Sequence, residues 1–161
     1  MTGEQRSLWE ELNSFELDNP AVEFSFTDRL VRENGWDYEF ALRTIDEYKK
    51  FIFLIVCSGH PCTPSDEIDQ VWHLHLLYTE SYWKDMCLGI LNKEVHHGPT
   101  KGVSQRNDFK DYYSMTKDSY LTLFKYNPPS DIWPSSELRF KYVNFRRVNL
   151  HLYKIRKKWK F

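Results

Sequence analysis

Apolar residues recur at every third or fourth position over most of the chain, which is the spacing of amphipathic helices. The pattern is clear from Glu4 to Leu17, from Asp37 to about Cys57 and from Ser104 to Tyr126. Apart from the C-terminal segment, no stretch alternates as a strand would. We therefore expect an all-α fold: a single compact helical domain over residues 1–161, with about five to six helices around a buried central helix.

Capping residues mark where some of these helices begin and end. Ser25 and Asp28 match the capping box that opens a helix. Gly35 follows as a typical C-terminal glycine, and Asp37 is a suitable N-cap for the next helix. These signals predict a short helix between residues 25 and 35 and a long one after it.

The predicted central helix lies in the stretch from 63 to 100. Thr63 is a suitable N-cap, and Asp66 completes a second capping box. The apolar residues that follow fall on every side of the helix, which is typical of a buried helix: Ile68, Val71, Trp72, Leu74, Leu76, Leu77 and Tyr78. Asp69, His73 and His75 lie among them, and burying such groups is costly unless they are paired or bound to a metal.

Helical geometry separates the two histidines of this segment. Asp69 and His73 are four residues apart and share a face, so Asp69 can orient the imidazole through one ring nitrogen. His75 is rotated from His73 by about 200° and should serve a different contact. We expect His73 to be buried, with its free nitrogen towards residues 96–97. The alternative is an Asp–His hydrogen bond that only fixes packing.

A second pair of histidines, His96 and His97, follows in a segment rich in Gly and Pro that is predicted to be a loop. A loop can turn either ring towards His73. The candidate metal ligands are therefore His73, Asp69, His75, His96 and His97. Imidazole and carboxylate groups suit Zn²⁺, Fe²⁺ or Cu²⁺ and can leave an open coordination position. Alternatively, one loop histidine is exposed and the other stacks on an aromatic ring.

The three cysteines are better explained as packing residues than as ligands. Cys87 lies fourteen residues after His73, about 21 Å along a straight helix, and joins its site only if the chain breaks near 79–81. Cys57, His60 and Cys62 offer three soft ligands, whereas a structural zinc site has four. The odd number of thiols and the lack of a signal-peptide pattern predict a reducing, cytoplasmic setting.

The C-terminal segment, residues 135–161, is strongly basic. The chain has 22 basic and 23 acidic residues, and nine of the basic ones lie in 139–161, which leaves 13 bases against 23 acids elsewhere. The apolar positions in this segment favour a helix that packs through Phe145, Val148 and Leu152, although 148–152 also fits a strand. Its charges point to a protein partner, with nucleic acid the less expected one. The longest apolar run, 51–57, is too short for a membrane span.

The central segment resembles the glycine-rich-domain-containing-protein-like family, whose members share the pattern P-S-x-x-[IV]-D-x-x-W-H-x-H. The matching positions here are Pro64, Ser65, Ile68, Asp69, Trp72, His73 and His75, followed by Thr79, Tyr82 and Cys87. The resemblance covers about residues 36–100 and implies a helical domain. It does not imply a reaction. The chain also differs from the plant members, because it has only six glycines and no glycine-rich tail.

Two functions follow from these observations. The first is a divalent-metal-binding domain with a buried His/Asp site, of a kind that catalytic centres use. The second is a non-catalytic interaction module with structural histidines, in which the basic segment contacts a partner or nucleic acid. Whether the protein is an enzyme is left open by the sequence.

Overall fold

The computed structural model describes residues 1–98, 106–141, 148 and 151–156, and gives no side-chain description for 106–108. Within these residues the chain forms seven helices and no strand, which confirms the all-α fold. Six are α-helices and one is a π-helix: α1 Gly3–Ser14, α2 Phe26–Asn34, α3 Tyr38–Cys57, α4 Asp66–Leu77, the π-helix Glu80–Ile90, α5 Arg106–Phe124 and α6 Ser136–Lys141.

The predicted caps of α2 and α3 are present. The Ser25 hydroxyl accepts a hydrogen bond from the Asp28 amide, and the Asp28 carboxylate accepts one from the Ser25 amide. Gly35 ends α2 with φ of 67°, a left-handed conformation that glycine adopts without steric cost. Asp37 then caps α3 through the amide of Phe40. Local chemistry therefore accounts for these three caps.

The core is organised around α3. Ten of its residues are buried, and it packs against α1, α2, α4 and α5. The helix that follows Thr63 was expected to have no solvent-exposed face, yet Leu77 and His73 of α4 are exposed. The buried central helix of the fold is thus α3, and α4 lies against it with one face towards solvent.

A buried carboxylate on α3 contacts both α5 and the turn at Trp133. Glu47 accepts hydrogen bonds from the Tyr120 hydroxyl at 3.1 Å and from the Trp133 indole at 2.9 Å. Lys50 pairs with the same carboxylate at 2.6 Å. Glu47 is 4 % exposed, so these partners satisfy a buried group, and two of them, Tyr120 and Trp133, link α5 and the turn at Trp133 to α3.

The ends of α4 differ from the sequence prediction. The N-cap is Ser65, whose hydroxyl accepts from the Ile68 amide, and not Thr63. Thr63 instead donates its amide to Thr116 on α5, which holds it outside the helix. At the other end the α-helical pattern stops at Leu77, Tyr78 adopts φ −90° and ψ 66°, and the π-helix begins at Glu80.

The basic C-terminal segment is described only in part, since residues 142–147, 149–150 and 157–161, including Phe145, lie outside the described residues. Arg139 forms an ion pair with Asp66 and donates to the Pro64 carbonyl at 3.1 Å, so α6 lies at the start of α4. Residues 151–156 are not helical, and Leu152 is 75 % exposed. The predicted packing through Leu152 is therefore wrong.

Among the helices described here, none is both long enough and apolar enough to cross a bilayer.

Candidate metal centre

Three potential ligands meet on the exposed side of α4. Asp69 and His73 lie one turn apart on the helix, and His97 approaches from the loop after the π-helix. His97 Nε2 is 2.8 Å from Asp69 Oδ1, and His73 Nε2 is 3.9 Å from Asp69 Oδ2. One ligand atom from each residue lies within 4.8 Å of the other two.

These separations are close to the distances between two ligand atoms that bind the same ion. Zinc binds imidazole nitrogen and carboxylate oxygen at about 2.0–2.2 Å, so two ligands of one ion lie about 3.0–3.5 Å apart. The distances from Asp69 to His97 and to His73 fall on either side of that range. Small side-chain rotations would therefore bring all three groups around one ion.

The cluster is open to solvent on one side. The side chains of His97 and Asp69 are 18 % and 22 % exposed, whereas that of His73 is 52 % exposed. The expectation that His73 is buried was wrong, because α4 turns this face outwards and buries the opposite one against α3. Its expected approach to Asp69 and to the 96–97 loop is present, with the rings of His73 and His97 centred 4.6 Å apart.

His97 is held in place by contacts behind it. The Trp72 ring is centred 4.3 Å from the His97 ring in an edge-to-face arrangement. Trp72 donates its indole N–H to the Tyr82 hydroxyl at 2.9 Å, and that hydroxyl donates to the Val95 carbonyl. Val95 is buried and precedes His97 by two residues, so the loop is anchored close to the candidate ligand.

His75 lies apart from this cluster, in the core. Its Nδ1 is 2.8 Å from the Tyr48 hydroxyl and its Nε2 is 3.1 Å from the Ser81 hydroxyl. Both ring nitrogens are thus satisfied, which confirms that His75 serves a different contact from His73. Burial lowers the pKa of His75 from its usual value near 6.5 to about 4, so the ring is neutral at pH 7.

His96 also lies apart, although it adjoins His97. It is exposed, lies 3.1 Å from the Glu94 carboxylate and has its ring 5.4 Å from that of Trp83. Of the adjacent pair, only His97 turns towards His73. His96 is therefore a surface residue that offers a control for experiments on its neighbour.

The cysteines are not among the clustered ligands. Within the described residues, Asp69, His73 and His97 form the group of neighbouring potential ligands, and no cysteine belongs to it. Burial raises the pKa of Cys57, Cys62 and Cys87, which keeps these thiols protonated. His60 is engaged instead by Ser119 at 2.7 Å and by the Pro61 carbonyl.

Sequence reasoning did not assign a role to Tyr82. It is fully buried, and its hydroxyl is the link between Trp72 and Val95. The available signal was chemical: a buried tyrosine or tryptophan needs a partner for its polar atom. Both residues lie close to the histidines in sequence, and each satisfies the other.

Comparisons with protein-family models, with curated proteins and with solved structures find no match to this chain. The functional argument therefore depends on the geometry of the chain itself.

Proposed function

We propose that the protein binds a divalent transition metal through Asp69, His73 and His97. The supporting observation is that a carboxylate and two imidazoles, contributed by two separate elements, have ligand atoms within 4.8 Å of one another. Asp69 supplies one oxygen towards each histidine. The carboxylate is therefore the central ligand of this arrangement, rather than an orienting group behind His73.

The ligand set favours Zn²⁺ or Fe²⁺, with Cu²⁺ as a further candidate. Two histidines and one carboxylate occur in catalytic zinc sites and in non-haem iron sites, both of which keep positions open for water or substrate. Here the exposed side of His73 faces solvent and provides that access. The proposed site is of the open, catalytic type and differs from a closed structural zinc site, which has four protein ligands.

We also infer membership of the glycine-rich-domain-containing-protein-like family. Residues of the shared pattern occupy connected positions in this structure: Ser65 caps α4, Asp69 and His73 are proposed ligands, and Trp72 packs against His97. The pattern thus corresponds to one structural unit around the candidate site, which supports the inference.

The same contacts also support the second function, an interaction module whose histidines are structural. The 2.8 Å hydrogen bond between Asp69 and His97, together with the Trp72 ring, would fix the loop without an ion. On this alternative His97 is a packing residue, and mutating it would change stability alone.

Elemental analysis of protein made without a polyhistidine tag separates the two functions. The metal-binding proposal predicts about one equivalent of zinc or iron per chain, or its uptake when metal-free protein is reconstituted. Reconstitution should be tried with Zn²⁺, anaerobic Fe²⁺ and Cu²⁺. If none of the three is retained after dialysis, the proposal is wrong and the structural role of the histidines is favoured.

A further inference from the structure

A groove lies at the other end of α4, where the helix ends and the π-helix begins. Its volume is about 510 Å³, within the range of small-molecule binding sites. The groove is lined by residues 16–19 after α1, by Val22, Phe24 and Phe26, and by residues 78–81 and 85. None of the metal-cluster residues lines it, so it is a separate feature.

The walls of this groove provide apolar and aromatic surface. Phe24, Phe26 and Tyr78 contribute rings, and Leu17 and Val22 contribute aliphatic groups. Val22 and Phe24 remain 48 % and 44 % exposed. A ligand with an apolar body would cover surface that the fold itself leaves in contact with water.

The charged residues that line the groove are all acidic: Glu16, Asp18, Glu80 and Asp85. Glu80 is paired with Lys84 at 2.7 Å. Within the described residues, the other three carboxylates form no ion pair. Asp18 is held by two hydrogen bonds from Thr27, at 2.8 and 2.7 Å, so its position is fixed.

Two arginines lie against rings that line the groove, and Lys84 is paired with Glu80. Arg32 lies over the Phe24 ring at 4.5 Å and also approaches Glu33, while Arg29 lies 5.9 Å from the Tyr78 ring. None of Arg29, Arg32 and Lys84 lines the groove. Within the described residues, the lining itself therefore contains four carboxylates and no cation, with Arg29, Arg32 and Lys84 next to it.

Two helix ends border the groove, since α4 ends at Leu77 and the π-helix begins at Glu80. Their partial charges have opposite signs, so the acidic side chains carry the charge of the lining.

We propose that this groove binds a small organic ammonium ion with an apolar body, such as an arylalkylamine. The carboxylates of Glu16, Asp18 and Asp85 would receive the ammonium group. The aromatic walls would cover the apolar body. The combination of acidic and aromatic lining disfavours an anion of the same shape.

Three probes of matched shape test the charge preference: 2-phenylethylammonium, 2-phenylethanol and 3-phenylpropanoate. Each is titrated into ¹⁵N-labelled protein at pH 7 while amide chemical shifts are recorded. The proposal predicts saturable shifts at residues 16–24 and 78–85 with the ammonium, weaker binding of the alcohol and none of the carboxylate. Equal affinity for ammonium and alcohol, or no saturable shift, would overturn it.

A pair of double variants tests whether the named carboxylates carry this preference. Glu16→Gln with Asp85→Asn removes two unpaired acids of the groove. Glu10→Gln with Asp46→Asn makes the same charge change at exposed positions outside it. The first variant should bind 2-phenylethylammonium about fivefold to tenfold more weakly, and the second should match the unmodified protein. If both variants lost the same affinity for 2-phenylethylammonium, the effect would be due to net charge alone, which would contradict the proposal.

Discussion

The indole nitrogen of Trp72 lies 2.9 Å from the hydroxyl oxygen of Tyr82, and this hydrogen bond joins α4 to the π-helix. The same hydroxyl donates to the Val95 carbonyl, two residues before His97. One buried tyrosine therefore connects the helix that supplies two proposed ligands with the loop that supplies the third. The geometry of the cluster depends on a residue that is not itself a ligand.

Replacing Tyr82 with phenylalanine should loosen this connection. The change leaves the Trp72 N–H and the Val95 carbonyl without their shared partner, which should lower the free energy of unfolding by about 1–3 kcal/mol. If metal is bound, its affinity should fall by up to about tenfold, because the His97 loop is less fixed. Urea unfolding and metal titration measure the two effects.

The control for this variant is Tyr38→Phe, which removes a hydroxyl from an exposed tyrosine. It should change neither stability nor metal affinity. If Tyr82→Phe behaves like the Tyr38 control, the link from Trp72 to Val95 has no energetic role.

Adjacent histidines provide the sharpest test of the ligand assignment. His97→Ala should weaken metal binding by about 100-fold, since structural zinc sites gain roughly 10–16 kcal/mol from four ligands, or about 3 kcal/mol for each. His96→Ala should leave the affinity unchanged, because His96 faces solvent beside Glu94. Calorimetric titration of both metal-free variants makes the comparison.

Replacing Asp69 with asparagine should weaken binding at least as much as His97→Ala, because Asp69 faces both histidines. If all of these variants bound the metal with the same affinity, the metal would have to lie elsewhere, and the ligand assignment would be incorrect.

The buried imidazole of His75 should make stability depend on pH. Its pKa is about 4 in the folded protein, whereas in the unfolded chain it is near 6.5. As the pH falls, the unfolded state therefore protonates His75 at a higher pH than the folded state does. The His75 contribution is fully present above pH 6.5 and is lost as the pH falls towards 4, at about 1.4 kcal/mol per pH unit.

This dependence can be separated from that of the carboxylates by comparing variants. His75→Gln should be less stable at pH 7 but should lose less stability between pH 6.5 and 4.5. His96→Gln should follow the unmodified protein, because His96 is exposed. Parallel pH profiles for the unmodified protein and His75→Gln would show that burial of His75 does not affect its ionisation.

Glu47 should be a strong determinant of stability. Replacing it with glutamine removes one acceptor and leaves Lys50 without its charged partner, next to Tyr120 and Trp133. We expect a loss of about 2–3 kcal/mol in the free energy of unfolding, measured by urea denaturation. Asp46→Asn, at the adjacent exposed position, should cost less than about 0.5 kcal/mol.

The parts of the fold that depend on local chemistry could be predicted from the sequence. The Ser25–Asp28 box, the Gly35 C-cap and the Asp37 N-cap involve residues within a few positions of one another. The N-cap of α4 was misassigned because Thr63 is held by Thr116, a residue 53 positions away. Such a contact leaves no local signal in the sequence.

In the candidate site, too, some features follow from local sequence and others depend on tertiary contacts. Helical geometry placed Asp69 and His73 on one face and separated His75 from them. Tertiary contacts decide which of the two faces packs against α3, and the local sequence does not show them. His73 was therefore expected in the core, whereas His75 lies there. The choice between His96 and His97 depended likewise on Trp72 and the anchored Val95.

The most direct test is an anomalous difference map from crystals of the zinc-loaded protein, recorded at the zinc absorption edge. Our account predicts one strong peak about 2.0–2.2 Å from Nε2 of His73, Nε2 of His97 and a carboxylate oxygen of Asp69. A map without density between these three residues, in crystals that contain zinc elsewhere, would contradict the central claim.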